Sequence, residues 1–394
     1  MARILMIQWS GSAYDSLRYL LDLVGAELSE DGHHLERVVI GQDGWPERLQ
    51  NLMTSHGPWH MALGMSGVGL EVGPNTAESV WDLAKIPFFT WFCDHPAHFP
   101  ARHTRRSPFA ILGYVFPDHA RYARDHLNAN GTTYAVHLGL PRRSLFMDPR
   151  RPVDRRNGRI AFFKSGGDEN AMRATWRQTL PPTLATVLEE AAEACHGADV
   201  AAMLPRLQQA AERHGLFLAP DGTLCLTLLH HLDFYERARR STLLMRSLLD
   251  LPVDVYGADW GHIDWSGKRA VHRPPLTFPD MMARLPAYLG SLSLNPLVSE
   301  SVHDRLPFAL AAGVVPLGDR NWFSRQHMPD LDRYSFEFTP QSIAAAAEAL
   351  LADPQAALDA AEATYQALLP HFTLRHTARQ IIEFCSLHGM NMKA

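Results

Sequence analysis

The feature that most constrains the fold is a recurring pair: a short, almost continuously apolar run, then a polar turn and a stretch with helical spacing. The runs RILMIQ at 3–8, RVVIG at 37–41, MALGM at 61–65, PFFTWF at 87–92 and AILGYVF at 110–116 lack the apolar–polar alternation of a half-exposed strand. Strands of this kind are covered on both faces, and helices between them make the sheet parallel. The first run enters Trp9-Ser10-Gly11-Ser12, after which Leu17, Leu20, Leu21 and Val24 recur at helical intervals, so the chain opens as β-loop-α. TYAVHLG at 133–139 supplies a further strand. The Pro- and Arg-rich stretch LPRRSLFMDPRRPVDRRNGR at 140–159 then reads as a domain boundary.

The pattern restarts at Arg159 with IAFFKSGG, a strand ending in a lysine and two glycines, followed by DENAMRATWRQTL as a helix. Residues 180–250 are mostly helical in spacing, including VLEEAAEAC at 187–195 and HLDFYERARRSTLLMRSLLD at 231–250. VDVYG at 253–257 is a compact strand. AYLGSLSLNP at 287–296, ESVHDRLPFALAAG at 300–313 and VVPLGD at 314–319 read as strand, loop with helix, and strand. Two more helical patterns follow, divided by Pro370. The expected organisation is α/β: a Rossmann-like domain over 1–150, a second over 151–345 with a helical insertion, and C-terminal helices over 346–394 packing on both. The crevice between such domains is the expected ligand site.

Composition removes several alternatives. Across 394 residues, 46% hydrophobic and 20% charged residues exclude wholesale disorder. The formal charge of −5 and the lack of a basic block argue against a nucleic-acid track. Of 37 cationic residues only Lys85, Lys164, Lys268 and Lys393 are lysines, an arginine surplus that reads as compositional. Cys93, Cys195, Cys225 and Cys385 are scattered without a C-x-x-C pair, which leaves no metal-site expectation and fits a reducing, cytoplasmic setting. The opening MARILMIQW reads as a strand, not a signal, and no apolar run approaches the roughly 20 residues of a membrane span. Peripheral membrane contact and oligomeric state stay open.

The most informative segment is NPLVSESVHDRLPFALAAGVVPLGD at 295–319. Asn295 and Pro296 end a strand, Ser299 or Ser301 can cap the ensuing helix, and Pro307 is tolerable only in a first helical turn. Polar residues therefore collect at a helix start: Glu300 can accept hydrogen bonds from ligand hydroxyls, while Arg305 and the backbone amides near His303 and Asp304 can hold phosphate. A solvated cap is the plainer reading of the same residues. Lys164 with Gly166-Gly167, and Gly11 in the first loop, permit close approach of a diphosphate, although neither G-x-G-x-x-G nor a P-loop is present. Gly257, Asp259 and Trp260 follow a strand and can flank a planar ring. TWFCDHPAHF at 90–99 places Asp94 and His95 after another strand, where either can accept a proton.

The order of VDVYGADW at 253–260, LSLNP at 292–296 and VHDRLPFALAAGVVPLGD at 302–319 resembles the C-terminal nucleotide-sugar-binding domain of GT-B glycosyltransferases, especially the spore maturation glycosyltransferase-like family of the group 1 type. The resemblance covers roughly 155–345. It implies two Rossmann-like domains and transfer of a sugar from a nucleotide-diphosphate donor, with no further cofactor and no metal, to an acceptor that is a glycan, protein, lipid-linked or small molecule. It further implies that Lys164 and Arg305 neutralise the departing diphosphate, that Tyr256, Gly257 and Trp260 lie near the nucleobase, and that Asn295 lies near the phosphate or sugar. Many retaining members carry two glutamates seven residues apart. Here Glu300 fills the first position and Phe308 the second, so stereochemistry does not carry over, and an inverting reaction would draw its base from Asp94. A non-catalytic nucleotide-sugar-binding or assembly protein, and a GT-B epimerase or phosphorylase, are the competing readings.

Overall fold

The computed structural model describes residues 1–11, 14–74, 78–104, 107–127, 132–196 and 202–391, so Ser12 of the first loop and Lys393 lie outside the described residues. The chain divides into two units. The first contains Met1–Gly139, Thr277–Pro279 and His371–Ala394; the second contains Leu140–Leu276 and Asp280–Pro370.

In the first unit the apolar runs become β1 (Arg3–Trp9), β2 (His34–Ile40), β3 (Met61–Met65), β4 (Phe88–Phe92), β5 (Ala110–Tyr114) and β6 (Thr133–Ala135). All pair in parallel in the order β2-β1-β3-β4-β5-β6. The intervening helices are α1 (Ser16–Glu30), α2 (Trp45–Ser55), α3 (Val80–Ala84), α4 (Pro100–Thr104) and α5 (Pro117–His126). Every residue of β3, β4 and β5 is buried, which accounts for their continuous hydrophobicity. One face packs Leu5, Ile7, Val38, Trp59, Trp81 and Phe88 into a core, and a second cluster joins Phe92, Leu112, Tyr114, Ala120 and Ala123. The strand expected across 133–139 stops at Ala135; Val136 still donates its N–H to the Tyr114 carbonyl at 2.7 Å before the chain leaves the sheet.

The second unit has a five-stranded parallel sheet of β7 (Ile160–Phe163), β8 (Val253–Tyr256), β9 (Val271–Arg273), β10 (Gly290–Ser293) and β11 (Val315–Gly318), in the order β11-β10-β7-β8-β9. The edge strand β9 has all three residues exposed and therefore no apolar signature. Between β7 and β8 run α6 (Glu169–Thr179), α7 (Pro182–Ala194), α8 (Met203–Arg213) and the 26-residue α9 (Thr223–Leu248). Asp168 caps α6 by accepting the N–H groups of Asn170 and Ala171. Then come α10 (Phe278–Arg284), whose first two residues are counted in the first unit, α11 (Arg305–Ala311), α12 (Trp322–His327), α13 (Pro340–Ala352) and α14 (Pro354–Leu368). Glycine ends α11 for two reasons: Gly313 sits at φ 67°, and a Cβ there would lie 1.6 Å from the Pro149 carbonyl oxygen. The last helix, α15 (Leu374–Asn391), belongs to the first unit and packs on α1, where Arg375 and Arg379 both bond Asp31. No helix among the described residues is long and apolar enough to cross a membrane.

Both sheets contain a topological switch point. In the first unit the chain moves from β1 outward to β2 and returns to β3; in the second it moves from β7 to β8 and β9 and returns to β10. In open parallel sheets the crevice outside the carboxyl ends of the strands at such a point is where ligands bind.

Candidate functional site

At the switch point of the second unit, β7 ends in Phe163 and delivers Lys164, and β10 ends two residues before Asn295. The loop after β7 is clamped against the loop after β8. Lys164 donates its backbone N–H to Tyr256 O at 2.9 Å, the Trp260 indole donates to Lys164 O at 2.9 Å, and Gly166 donates to Ala258 O at 2.9 Å. Gly257 makes the clamp possible, because a Cβ there would fall 2.2 Å from the Lys164 carbonyl oxygen. From the other side α9 holds the same loop. A Cβ on Gly167 would meet the Ala238 methyl at 2.8 Å, and the Thr242 hydroxyl donates to Gly167 O at 3.1 Å while also bonding His262 Nε2 at 2.8 Å.

Asn295 organises the return loop. Its backbone N–H and side-chain amide donate to the two carboxylate oxygens of Asp319, at 2.8 and 3.1 Å, and its side-chain oxygen accepts the His303 backbone N–H at 2.6 Å. Leu297 sits in the same loop at φ 59°, a left-handed conformation that a branched side chain adopts at a cost and that this network sustains. The loop delivers Arg305, half-buried, whose Nε donates to the Phe163 carbonyl at the end of β7 at 2.8 Å. Lys164 and Arg305 are thus brought together on one strand edge.

Electrostatics distinguish the cluster from a solvated cap. Burial, with the charges of Arg305 and Arg237 adding to it and Asp233 opposing it, pulls the Lys164 ammonium down to about 7. Burial also lowers Arg305, with Asp304 opposing and Arg237 contributing. Burial resists ionisation of Asp304, but the charge and hydrogen bond of His303, together with Arg305, hold that carboxyl at about 2. His303 pairs through Nδ1 with Asp304, and its Nε2 lies 3.5 Å from Arg305 Nη1. Lys164, Arg305 and Arg237 crowd one edge against two aspartates, Asp304 and Asp233, an arrangement relieved by an anion.

The geometry revises several expectations. The helix start does not offer free amides: α11 has only seven residues, its cap is Asp304 and not Ser299 or Ser301, and the Arg305 N–H is taken by Asp304 Oδ1 at 2.8 Å. Asn295 spends its side-chain groups on Asp319 and His303 and is 5% exposed, which makes it a loop organiser. Trp260 is 1% exposed, and Tyr256 is buried with its hydroxyl 2.8 Å from that of Tyr288 and its ring stacked on Phe163. Both rings brace the site and do not present a stacking face. Glu300 is half-buried in the loop before α11, and Phe308 is 0% exposed, so the second glutamate position is occupied by core.

Asp94, His95 and Gly11 belong to the first unit. Asp94 is half-buried after β4; His95 is buried, accepts the Ala97 N–H on Nδ1 at 3.1 Å and packs edge-on against His119 and Tyr122. This environment gives His95 a turn-forming role. Gly11 is exposed beside Trp9, past the end of β1. At the switch point of this unit Ile7, Gln8, Trp9, Leu21, Met65 and Val68 line a concavity, a feature the strand runs alone did not reveal. Among the described residues no three His, Cys, Asp or Glu side chains are grouped to hold a metal.

Two Rossmann-like parallel sheets, one carrying a cationic cluster at its switch point, define the GT-B glycosyltransferase fold. Residues 237–383 match the family model described as Glycosyl transferase-like. Sucrose-phosphate synthase from Thermosynechococcus elongatus aligns over 100% of this chain and 100% of its own, with a TM-score of 0.53 and 10% identity. An alpha-glucosyltransferase in complex with UDP and a 13-mer DNA containing a HMU base aligns over 98% and 99%, with a TM-score of 0.56 and 10% identity. An alpha-glucosyltransferase in complex with UDP alone aligns over 98% and 100%, at 0.55 and 10%. No curated protein matches the sequence. The resemblance seen in VDVYGADW, LSLNP and the 302–319 block is borne out for the GT-B fold and the glycosyltransferase-type domain; the spore maturation subtype is narrower than this match.

Proposed function

We propose that the protein transfers a sugar from a nucleotide-diphosphate donor to an acceptor nucleophile, with the diphosphate held at the β7–β10 switch point of the second unit. The observation that carries this reading is the convergence of Lys164 and Arg305 on the strand edge, joined by the Phe163 carbonyl that Arg305 Nε bonds at 2.8 Å. As the bond from the sugar to the leaving oxygen breaks, negative charge grows on the departing nucleoside diphosphate. Cations already fixed in a poorly solvated site stabilise that charge without reorganising, in the role a metal ion fills elsewhere. The alpha-glucosyltransferases of the same fold, solved with UDP, make uridine the first base to test.

Glu300 is proposed to accept hydrogen bonds from donor hydroxyls, His303 and Asp304 to fix Arg305, and Gly257 to let the nucleotide-side loops close up. Asp94 is the proposed proton acceptor, which makes inversion at the anomeric carbon the matching stereochemistry. Incubation with a panel of nucleotide sugars tests the reading: it predicts hydrolysis or acceptor-dependent release of nucleoside diphosphate for at least one donor, and a panel with no release contradicts it. The buried Phe308 in the second glutamate position favours one competitor, a nucleotide-sugar-binding protein without turnover. That competitor predicts donor binding with no release of nucleoside diphosphate under any acceptor.

A further inference from the structure

The helix α9 contributes a charge that the strand-end motifs do not contain. Arg237 lies one position before Ala238, the residue against which Gly167 packs, and five before Thr242, which bonds the Gly167 carbonyl. This stretch of α9 therefore flanks the loop that starts at Lys164. The Arg237 guanidinium acts electrostatically on both Lys164 and Arg305, which places three cationic side chains around one strand edge. It pairs with Asp233, one helical turn earlier, with Arg237 Nε 2.8 Å from Asp233 Oδ2; the Asp233 side chain is 1% exposed.

A carboxylate buried this deeply is retained where it offsets neighbouring positive charge. Three cations against two carboxylates, Asp233 and Asp304, leave a net positive charge, which a bound diphosphate can meet. An arginine paired with a carboxylate can exchange it for two phosphate oxygens, which the planar guanidinium fork meets with two parallel N–H donors.

We propose that Arg237 is a third phosphate-binding cation of this site, presented from α9 and held between ligands by Asp233. The proposal rests on the diphosphate reading of the switch-point cluster. It assigns to the helical insertion a direct part in donor binding, in place of a purely architectural one. Asp233 holds the Arg237 guanidinium between ligands and competes with the ligand for it.

Inorganic pyrophosphate, titrated calorimetrically into the full-length protein at low ionic strength, tests this without assuming a nucleobase. Arg237→Met is expected to weaken pyrophosphate about 10-fold or more, Arg237→Lys to restore most of the loss, and Asp233→Asn to tighten binding several-fold by removing the competing carboxylate. Retention of parent affinity in Arg237→Met, while Lys164→Met and Arg305→Met lose it, overturns the role of Arg237 and leaves the diphosphate site standing. Parent affinity in all three variants, or no binding by the parent protein, removes the site and this proposal together. If Arg237→Met does not fold, Asp233→Asn decides: tighter binding supports the proposal and unchanged affinity overturns it.

Discussion

The indole N–H of Trp260 reaches the backbone carbonyl of Lys164 at 2.9 Å, and this bond joins the loops that follow β8 and β7. The ring is almost fully buried, so the contact is sheltered from competing water. Trp260→Phe keeps an aromatic filler and removes the donor. It is expected to cost about 1–3 kcal/mol of stability through the unpaired carbonyl and the smaller ring, and to weaken nucleoside diphosphate binding by loosening Lys164. Urea denaturation and calorimetric titration check the two effects; unchanged affinity would detach the clamp from the site.

The pH dependence of stability should carry a Lys164 signature. In the folded protein its ammonium loses its proton near 7, because of burial and the charges of Arg305 and Arg237, whereas an unfolded lysine keeps it to about 10.4. Between those values the unfolded chain binds more protons, so stability rises with pH across that window, and the penalty for burying the charge is present in full below it. Lys164→Met should be more stable than the parent at pH 6, and its advantage should shrink as pH approaches 10. Thermal denaturation from pH 6 to 10 reads this directly, and parallel curves for the two proteins would contradict it.

Binding of a diphosphate should reverse that perturbation. An anion beside Lys164 favours the charged ammonium, so at pH 8, where phosphate is fully ionised, binding is accompanied by proton uptake. Calorimetry in buffers of different ionisation enthalpy measures the uptake. The Lys164→Met protein should lose it.

The return loop makes a separate prediction. Asn295→Ala removes one donor from the buried Asp319 and the acceptor for the His303 N–H. A loss of about 2–4 kcal/mol is expected, since two buried polar groups are left without that partner. Donor affinity should fall with it, because the loop that delivers Arg305 loses its anchor. Gly313→Ala should be more severe still, combining a positive φ with the 1.6 Å approach of the Pro149 carbonyl oxygen, and is expected to accumulate little folded protein.

For Asp94 the informative readout is the separation of binding from turnover. Asp94→Asn should leave donor affinity within about 2-fold of the parent and reduce turnover by about 100-fold or more, the usual contribution of a positioned base. Equal turnover in the variant would remove Asp94 from the reaction.

The strands were legible because parallel strands covered on both faces must be apolar at nearly every position; RILMIQ and PFFTWF announce themselves this way. The exposed β9 was not, since Val271–Arg273 carries no such pattern and is fixed only by pairing with β8. In the site, Lys164 and Arg305 were readable because each stands at a strand end or helix start. The role proposed for Arg237 was not, because it depends on α9 folding back along the loop after β7, a long-range packing relationship invisible in local spacing. Trp260, Tyr256 and Asn295 were found by position but given ligand contacts. Sequence order could not show that their polar atoms are already matched to Lys164, Tyr288 and Asp319.

The proposed function turns on the second unit holding a nucleoside diphosphate through Lys164 and Arg305. Its most direct test is calorimetric titration of UDP, GDP, ADP and TDP into the parent protein and into Lys164→Met and Arg305→Met. The parent should bind at least one diphosphate, weakened about 10-fold or more in each variant, with the corresponding nucleoside bound equally weakly by all three. Binding of no diphosphate, or diphosphate binding indifferent to both substitutions, would contradict it.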